Sequence, residues 1–476
     1  MHALEGRARW IALILLCLGD LMIVLDTTIV NVALPSIRTD LGFTETSLVW
    51  VVNAYLLTFS GFLLLGGRLG DLFGHRRIFL IGIVIFTLAS LLCGIAQTQT
   101  VLIIARALQG FGGAIVSAVA FSLIITIFTE PSERARAMGL FGFVAAGGGA
   151  IGVLLGGFLT NSFDWHWNFL VNLPIGIAVF LLSRRYLPHH HAEQEHNKLD
   201  VTGAVLITAS LMLAVYAIVG GNAAGWLSVE TLGLFTGAFV LLGAFLAVEM
   251  KIAAPLVPMH IFRDRNIVIA SVIGILWSAA MFASFFISAL YLQLVLAYDP
   301  LRVGLAFLPA NVIMAAFSLG LSAMIVMKFG NRGPLAIGMV LVGMGLLSFG
   351  FAPVDGLYFL NVFPGMLCLG IGAGMAFNPL LLAATSEVPE NESGLASGVL
   401  NTAFMMGGAL GLAILASIAA ARTAALAAAG APQLVALNEG YQVAFLIGAV
   451  SAFLAASCAL LFKRSAAGVQ SAAIAH

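Results

Sequence analysis

An all-α polytopic membrane protein with fourteen spans is the fold this sequence predicts, on three observations. Of 476 residues, 61% are hydrophobic and 9% charged, and the mean hydropathy is +1.08, whereas soluble domains carry about 25% charged residues. The apolar residues fall into runs of about 18–29 residues, each long enough for a hydrocarbon core of roughly 30 Å. Basic residues gather in alternate connections between those runs.

Taken in order, the spans are residues 10–35, 47–66, 77–97, 101–128, 136–160, 168–187, 202–219, 232–250, 268–296, 303–327, 334–351, 357–382, 394–420 and 441–462. Arg7 and Arg9 before the first run mimic a signal peptide, but that run is too long for an h-region and lacks a small-x-small cleavage site. The pair at 202–250 is joined by a short, weakly polar linker. With the N-terminus inside, inner segments hold seventeen of the 21 Lys and Arg, outer segments hold three, and Arg106 lies within a span. By the positive-inside rule both termini are cytoplasmic, and dropping one span would invert every later loop.

A weak internal repeat organises the spans. Phe73-Gly-His-Arg76 recurs as Phe329-Gly-Asn-Arg332, and Gly148-Gly-Ala-Ile-Gly152 as Gly407-Gly-Ala-Leu-Gly411, at offsets of 256 and 259. The expected domains are a six-helix bundle at 1–187, a cytoplasmic linker with two inserted helices at 188–265, and a second six-helix bundle at 266–476. Parallel halves of this kind suit alternating access around a midplane site. Met327 stands where the second copy would repeat Asp71.

Several function classes are disfavoured. The net charge is zero, which gives no sign of a nucleic-acid partner. Cys17, Cys93, Cys368 and Cys458 all sit in apolar runs, against a disulfide framework or a thiolate metal cluster. No metal-ligand spacing, nucleophile elbow or phosphate loop marks an enzyme. The histidines at 189–191 could hold a metal, but on a solvated linker they read as a tail. No cofactor is expected beyond H⁺ as a coupling ion.

Ions within spans are functional candidates by default, and here they are Asp20 and Asp26 in the first span and Arg106 in the fourth. Six residues at about 100° each separate the two acids by roughly 120° around the helix. Asp20 shares a face with Thr27 and Asn31; Asp26 lies near Gly19, Ile23 and Val30. One acid can point into a cavity while the other faces a neighbouring helix, where Arg106 is the cation available; a purely structural Asp26–Arg106 pair is the plain alternative. Two acids against one base leave an excess negative charge, and burial favours the neutral form of an unpaired carboxyl. Such a group can carry a proton or attract an organic cation, and sharing one site between them gives exchange.

The loop Gly67-Arg-Leu-Gly70-Asp71-Leu-Phe-Gly74-His-Arg76-Arg77 places ions in a tight turn between two spans, which fixes it at a membrane surface. In the fifth span, Gly147-Gly148-Gly149 precedes Gly152, Gly156 and Gly157, a spacing that lets helices approach closely.

These motifs resemble the fourteen-helix drug:proton antiporter branch of the major facilitator superfamily. Leu25-Asp26-Thr-Thr-Ile-Val-Asn31-Val-Ala-Leu-Pro35 is similar to its first-helix signature, and Gly67 to Arg77 to its motif A. Arg106-Ala-Leu-Gln109-Gly110-Phe-Gly112 resembles motif B, whose arginine is linked to proton coupling. Gly152 to Gly157 lies where motif C is expected. Trp165-His166-Trp167, Asn172-Leu-Pro174-Ile-Gly176 and Gly394-Leu-Ala-Ser-Gly398-Val-Leu-Asn401-Thr402 resemble further family stretches. The departures are Val153 in place of the motif C proline, Leu72 where motif A often has a basic residue, His166 between the tryptophans, and the additional acid Asp20.

The resemblance implies a non-enzymatic exporter in a bacterial inner membrane, coupling proton entry to exit of amphipathic, cationic drugs, dyes or biocides. The assigned roles are proton coupling by Asp26, Arg106 and Asp20, and gating by Gly67, Gly70, Asp71, Gly74, Arg76, Arg77, Gly152, Gly156 and Gly157. Candidate substrate contacts are Asn31, Trp50, Asn53, Tyr55, Gln109, Trp277, Met281, Asn378, Asn401, Phe404 and Met405, because such cavities need aromatic and flexible apolar walls with few polar anchors. Expected partners are the lipid bilayer and a small-molecule substrate, with the chain a monomer. The alternatives are an exporter of one metabolite or antibiotic and, in another class, a membrane sensor or assembly partner, which would call for a sizeable soluble output domain.

Overall fold

Caps and breaks set the helix limits in the computed structural model, which describes residues 7–128, 130–187, 200–252, 255–386, 388 and 393–462. The described residues contain helices and no strand. Helix α1 (Arg7–Leu41) carries Pro35 inside its last turns. At about 1.5 Å per residue it is roughly 50 Å long, more than a hydrocarbon core needs. Helix α2 (Glu45–Phe73) starts from a capping box in which Thr44 and Ser47 satisfy each other's backbone N–H groups. It stops at Gly74, whose φ of 89° breaks the helix and turns the chain into α3 (His75–Gly94). Helix α4 (Gln99–Ile127) is capped by Thr98, and α5 (Pro131–Ser162) has proline in its first turn, where no intrahelical N–H is needed. The sixth span is two pieces, α6 (Trp167–Leu170) and α7 (Asn172–Tyr186).

Helices α8 (Val201–Ala224) and α9 (Val229–Glu249) form the inserted hairpin, capped by Asp200 and Ser228. Asp264 caps α10 (Arg265–Leu290), whose last turn continues as a π-helical turn at Tyr291–Val295. The tenth span departs from a single helix. It comprises α11 (Pro300–Ala316), a π-helical turn at Phe317–Leu321 with Gly320 at φ 126°, and α12 (Ser322–Phe329). The remaining helices are α13 (Arg332–Gly350), α14 (Phe363–Thr385), α15 (Ser393–Ala428) and α16 (Gln433–Ala459). Among the described residues thirteen helical segments are long and apolar enough to cross a membrane, and α11 is a shorter apolar helix. The broken tenth span thus accounts for the fourteenth.

The chain divides into two compact units. Unit 1 is Met1–Pro258 with Asp299–Gly304, and unit 2 is Met259–Tyr298 with Leu305–His476. In unit 1, α1 packs on α5, α4 on α2 and α3, and the hairpin α8–α9 joins through α2. In unit 2, α10 packs on α15 and α16, and α13 on α14 and α16. The histidines at 189–191 lie outside the described residues.

Candidate functional site

Inside unit 1, α1, α3, α4 and α7 bring polar side chains to one buried point. Asp26 is 0% exposed and Arg106 1%, a placement that neither charge tolerates without partners. Arg106 Nη1 donates to Asp26 Oδ2 at 2.5 Å and to Gln109 Oε1 at 2.7 Å, while its Nε donates to the Val51 carbonyl at 2.8 Å. The other carboxylate oxygen, Asp26 Oδ1, accepts from Gln109 Nε2 at 2.6 Å and Asn172 Nδ2 at 3.1 Å. Gln109 also donates to Ser90 Oγ at 2.8 Å, and that hydroxyl donates to the Phe86 carbonyl. The guanidinium carbon lies 4.5 Å from the Tyr55 ring centre and 5.6 Å from that of Phe169, so two aromatic faces cover it. Asp26 is thus enclosed by a cage of amide and guanidinium donors.

Asp20, two turns toward the N-terminus, has a different setting. It is 6% exposed, and Ser117 Oγ donates to its Oδ1 at 3.4 Å, a long contact. Neighbouring Gly19 lets α1 approach Phe79 and Val116. Further along α1, Thr27 and Asn31 are half-buried and bond back to the carbonyls of Val24 and Thr27.

The other residues named from sequence divide among several places. Tyr55 and Gln109 belong to the Asp26 cage rather than to an open wall: both are fully buried because α2 and α4 pack face to face. Asn53 is likewise 0% exposed. Trp50 packs beside Tyr216 of the inserted hairpin, with ring centres 6.3 Å apart. In unit 2, Trp277 is 1% exposed and meets Phe404 and Phe377 edge-on at 5.3 and 6.2 Å. Trp277 and Met281 pack with Ser284, Phe285, Ala310 and Met314 around a small gap of about 10 Å³. Asn378, Asn401 and Met405 are half-buried in the same unit.

The 67–77 segment is not a loop but the end of α2 and the start of α3, broken only at Gly74. In it Asp71 pairs with His75 Nε2 at 3.2 Å, and Arg76 donates to the Arg184 carbonyl. Gly70 lies against His75 and Val119, whereas Gly67 faces open space and Arg77 is exposed. In α5, Gly148, Gly152, Gly156 and Gly157 are packing glycines, whereas Gly139 and Gly142 face open space. A Cβ at Gly156 would come within 2.8 Å of the Ile29 carbonyl, and one at Gly152 would strike Thr28. A Cβ at Gly157 would come within 2.7 Å of the Pro300 carbonyl, within the same unit.

Sequence reading gave no role to Ser90, Asn172 or the Val51 carbonyl. The available signal was that Ser90 and Asn172 are polar residues within apolar runs.

A helical bundle of this span count is a multi-pass membrane protein. The chain belongs to the Major Facilitator Superfamily, whose sequence profile matches residues 16–412. It is 38% identical over 420 residues to the puromycin resistance protein pur8 of Streptomyces alboniger, covering 88% of this chain and 83% of that one. It is 36% identical over 431 residues to the cephamycin export protein CmcT of Amycolatopsis lactamdurans, covering 90% and 88%. Among solved structures, an auto-inhibited POT family peptide transporter superposes with a TM-score of 0.69 at 15% identity, covering 96% of each chain. That likeness concerns the fold. The protein is therefore a transporter and not an enzyme.

Proposed function

We propose that the protein exports amphipathic, cationic small molecules in exchange for protons, by alternating access, with both termini on the cytoplasmic side of a bacterial inner membrane. The observation that carries this reading is the unequal pair of acids on α1. Asp26 is enclosed by Arg106, Gln109 and Asn172, whereas Asp20 has one long hydroxyl contact. The Asp26–Arg106 pair anchors the coupling machinery. Asp20 is the exchangeable site, because its charge has the fewest donors to hold it and a proton or an organic cation can neutralise it in turn. Relatives named for resistance to puromycin and lincomycin support outward transport of bulky organic compounds. The aromatic cluster of Trp277, Phe377 and Phe404 offers edges and faces suited to such compounds. The glycines of α5 and the 67–77 segment supply the close contacts at which the bundle opens and closes.

A specific antibiotic as substrate is the second reading, favoured by relatives named a cephamycin export protein and a probable actinorhodin transporter. One experiment separates the two. Purified protein in proteoliposomes is given an imposed pH gradient and a panel of lipophilic cations, with and without a protonophore. Protonophore-sensitive uphill movement of several cations supports the first reading. Movement of none of them, with transport of a single antibiotic, replaces it with the second.

A further inference from the structure

The inserted hairpin carries two acids for which proton exchange through α1 has no use. Asp200 caps α8, its Oδ1 accepting the Gly203 N–H at 2.7 Å. Glu249 ends α9, its Oε2 accepting the Val257 N–H at 3.2 Å, and the Leu256 N–H also donates to the Glu249 carboxyl. Both side chains are buried, at 2% and 3% exposure. The second oxygen of each, Asp200 Oδ2 and Glu249 Oε1, is buried without a donor. These two carboxyls lie side by side over Gly203. A Cβ placed on Gly203 would strike Asp200 Oδ2 and lie 3.0 Å from Glu249 Oε1, so a single methyl-sized space separates Gly203 from both acids. Among the described residues these two acceptor oxygens have no donor.

Two ionised carboxylates cannot hold that position, since like charges at such range exclude each other. Calcium would need six or more oxygen ligands, and among the described residues no group of three or more His, Cys, Asp or Glu is placed to hold a metal ion. Ala204 and Leu256 belong to an apolar cluster with Leu65, packed against Phe62, Leu69 and Val257. Among the described residues the charged group acting on Glu249 is Asp200.

We propose that Asp200 and Glu249 bind one proton between Oδ2 and Oε1, forming a proton-binding clamp at the base of the inserted hairpin. The proton makes one carboxyl a donor to the other. The closed pair then holds the start of α8 together with the segment carrying Leu256 and Val257. That segment is the last stretch of unit 1 before the chain passes into unit 2 after Pro258. Loss of the proton leaves two facing negative charges, parts the carboxyls and frees the 255–258 segment. Stability of the clamp is present while the proton is bound and is lost as pH rises through its release. The site is separate from Asp20 and Asp26, so it stands or falls independently of the transport reading.

The test is amide hydrogen exchange at Leu256 and Val257 in the full-length protein in lipid nanodiscs, from acid to alkaline pH, corrected for the intrinsic exchange rate. In the wild type, protection should fall by about tenfold per pH unit once the single proton is released. In Glu249→Gln and in Asp200→Asn the amide N–H replaces the shared proton, so protection should persist across the whole range. Protection in α4 reports whether each variant is folded. PH-independent protection in the wild type overturns the proposal, and that arm needs no variant. Variants that keep the wild-type pH dependence overturn it as well. Restoration of alkaline protection by added Ca²⁺ or Na⁺ overturns it in favour of a metal site.

Discussion

Asp20 and Asp26 sit on one helix, in one apolar run, yet the protein treats them as opposites. Around Asp26, guanidinium and amide donors satisfy both carboxylate oxygens, and two aromatic rings close over the arginine. Around Asp20, a serine hydroxyl makes a long contact, and Phe79 and Val116 pack against neighbouring Gly19. The proposed exchange turns on this difference: donors compete with a proton for a buried carboxylate, and among the described residues Asp26 has several where Asp20 has one.

The largest expected effect comes from unbalancing the enclosed acid. Arg106→Leu leaves Asp26 buried without its cation, and breaking one partner of a buried pair costs about 3–5 kcal/mol. A large drop in thermal midpoint in detergent is expected, together with loss of uphill transport. The double variant Arg106→Leu with Asp26→Leu should regain most of the midpoint, because no lone charge remains, while transport stays absent. Recovery of transport in the double variant would show that the pair is structural only.

Removing one donor should matter less. Asn172→Leu takes away one of the amide bonds to Asp26 Oδ1, a loss of about 1–3 kcal/mol for a buried polar group left underbonded. The midpoint should fall by less than in Arg106→Leu. A fall equal to that of Arg106→Leu would mean that the cage acts as one unit rather than donor by donor.

A smaller effect still is expected at the aromatic cover. Tyr55→Leu removes the ring beneath Arg106, worth about 0.5–2 kcal/mol. Tyr55→Phe keeps the ring and removes a buried hydroxyl that has no partner, so its midpoint should match or exceed the wild type. A Phe variant as unstable as the Leu variant would assign the effect to the hydroxyl and not to the ring.

How far this contrast was legible in the sequence depends on the residue type. Asp26 and Arg106 stood out because ions are rare in apolar spans. Tyr55 and Gln109 were read as substrate contacts because an aromatic or an amide in a span has many uses. Only the packing of α2 against α4 assigns them to the arginine. The α5 glycines were legible as close-packing positions because small residues at three- and four-residue spacing have few other meanings. The break at Gly320 was not, since one glycine among 52 carries no mark of its φ. The Asp200–Glu249 pair was invisible for another reason. Its members lie at opposite ends of a helical hairpin, and a contact made by folding the chain back leaves no local pattern.

The last prediction concerns the sparsely solvated acid and should scarcely alter stability. Asp20→Asn exchanges a carboxyl for an amide of the same shape and loses one long contact, so the midpoint should move by no more than about 1 kcal/mol. The effect should appear in selectivity and pH dependence. An ionised Asp20 favours a cationic substrate, and a protonated one does not. In the wild type the apparent KM for a cation should therefore rise as pH falls through the titration of Asp20. In Asp20→Asn the KM should be high and flat with pH. A second positive charge on the substrate needs a second compensating charge in a low-dielectric setting, so a divalent cation should lose more transport than a matched monovalent one. The measurement is the ratio of efflux rates for such a pair at two pH values. Equal losses for the two substrates would assign Asp20 to coupling alone. An unchanged ratio, with the wild-type pH profile intact, would place the exchangeable proton elsewhere and return Asp26, despite its cage, to the centre of the mechanism.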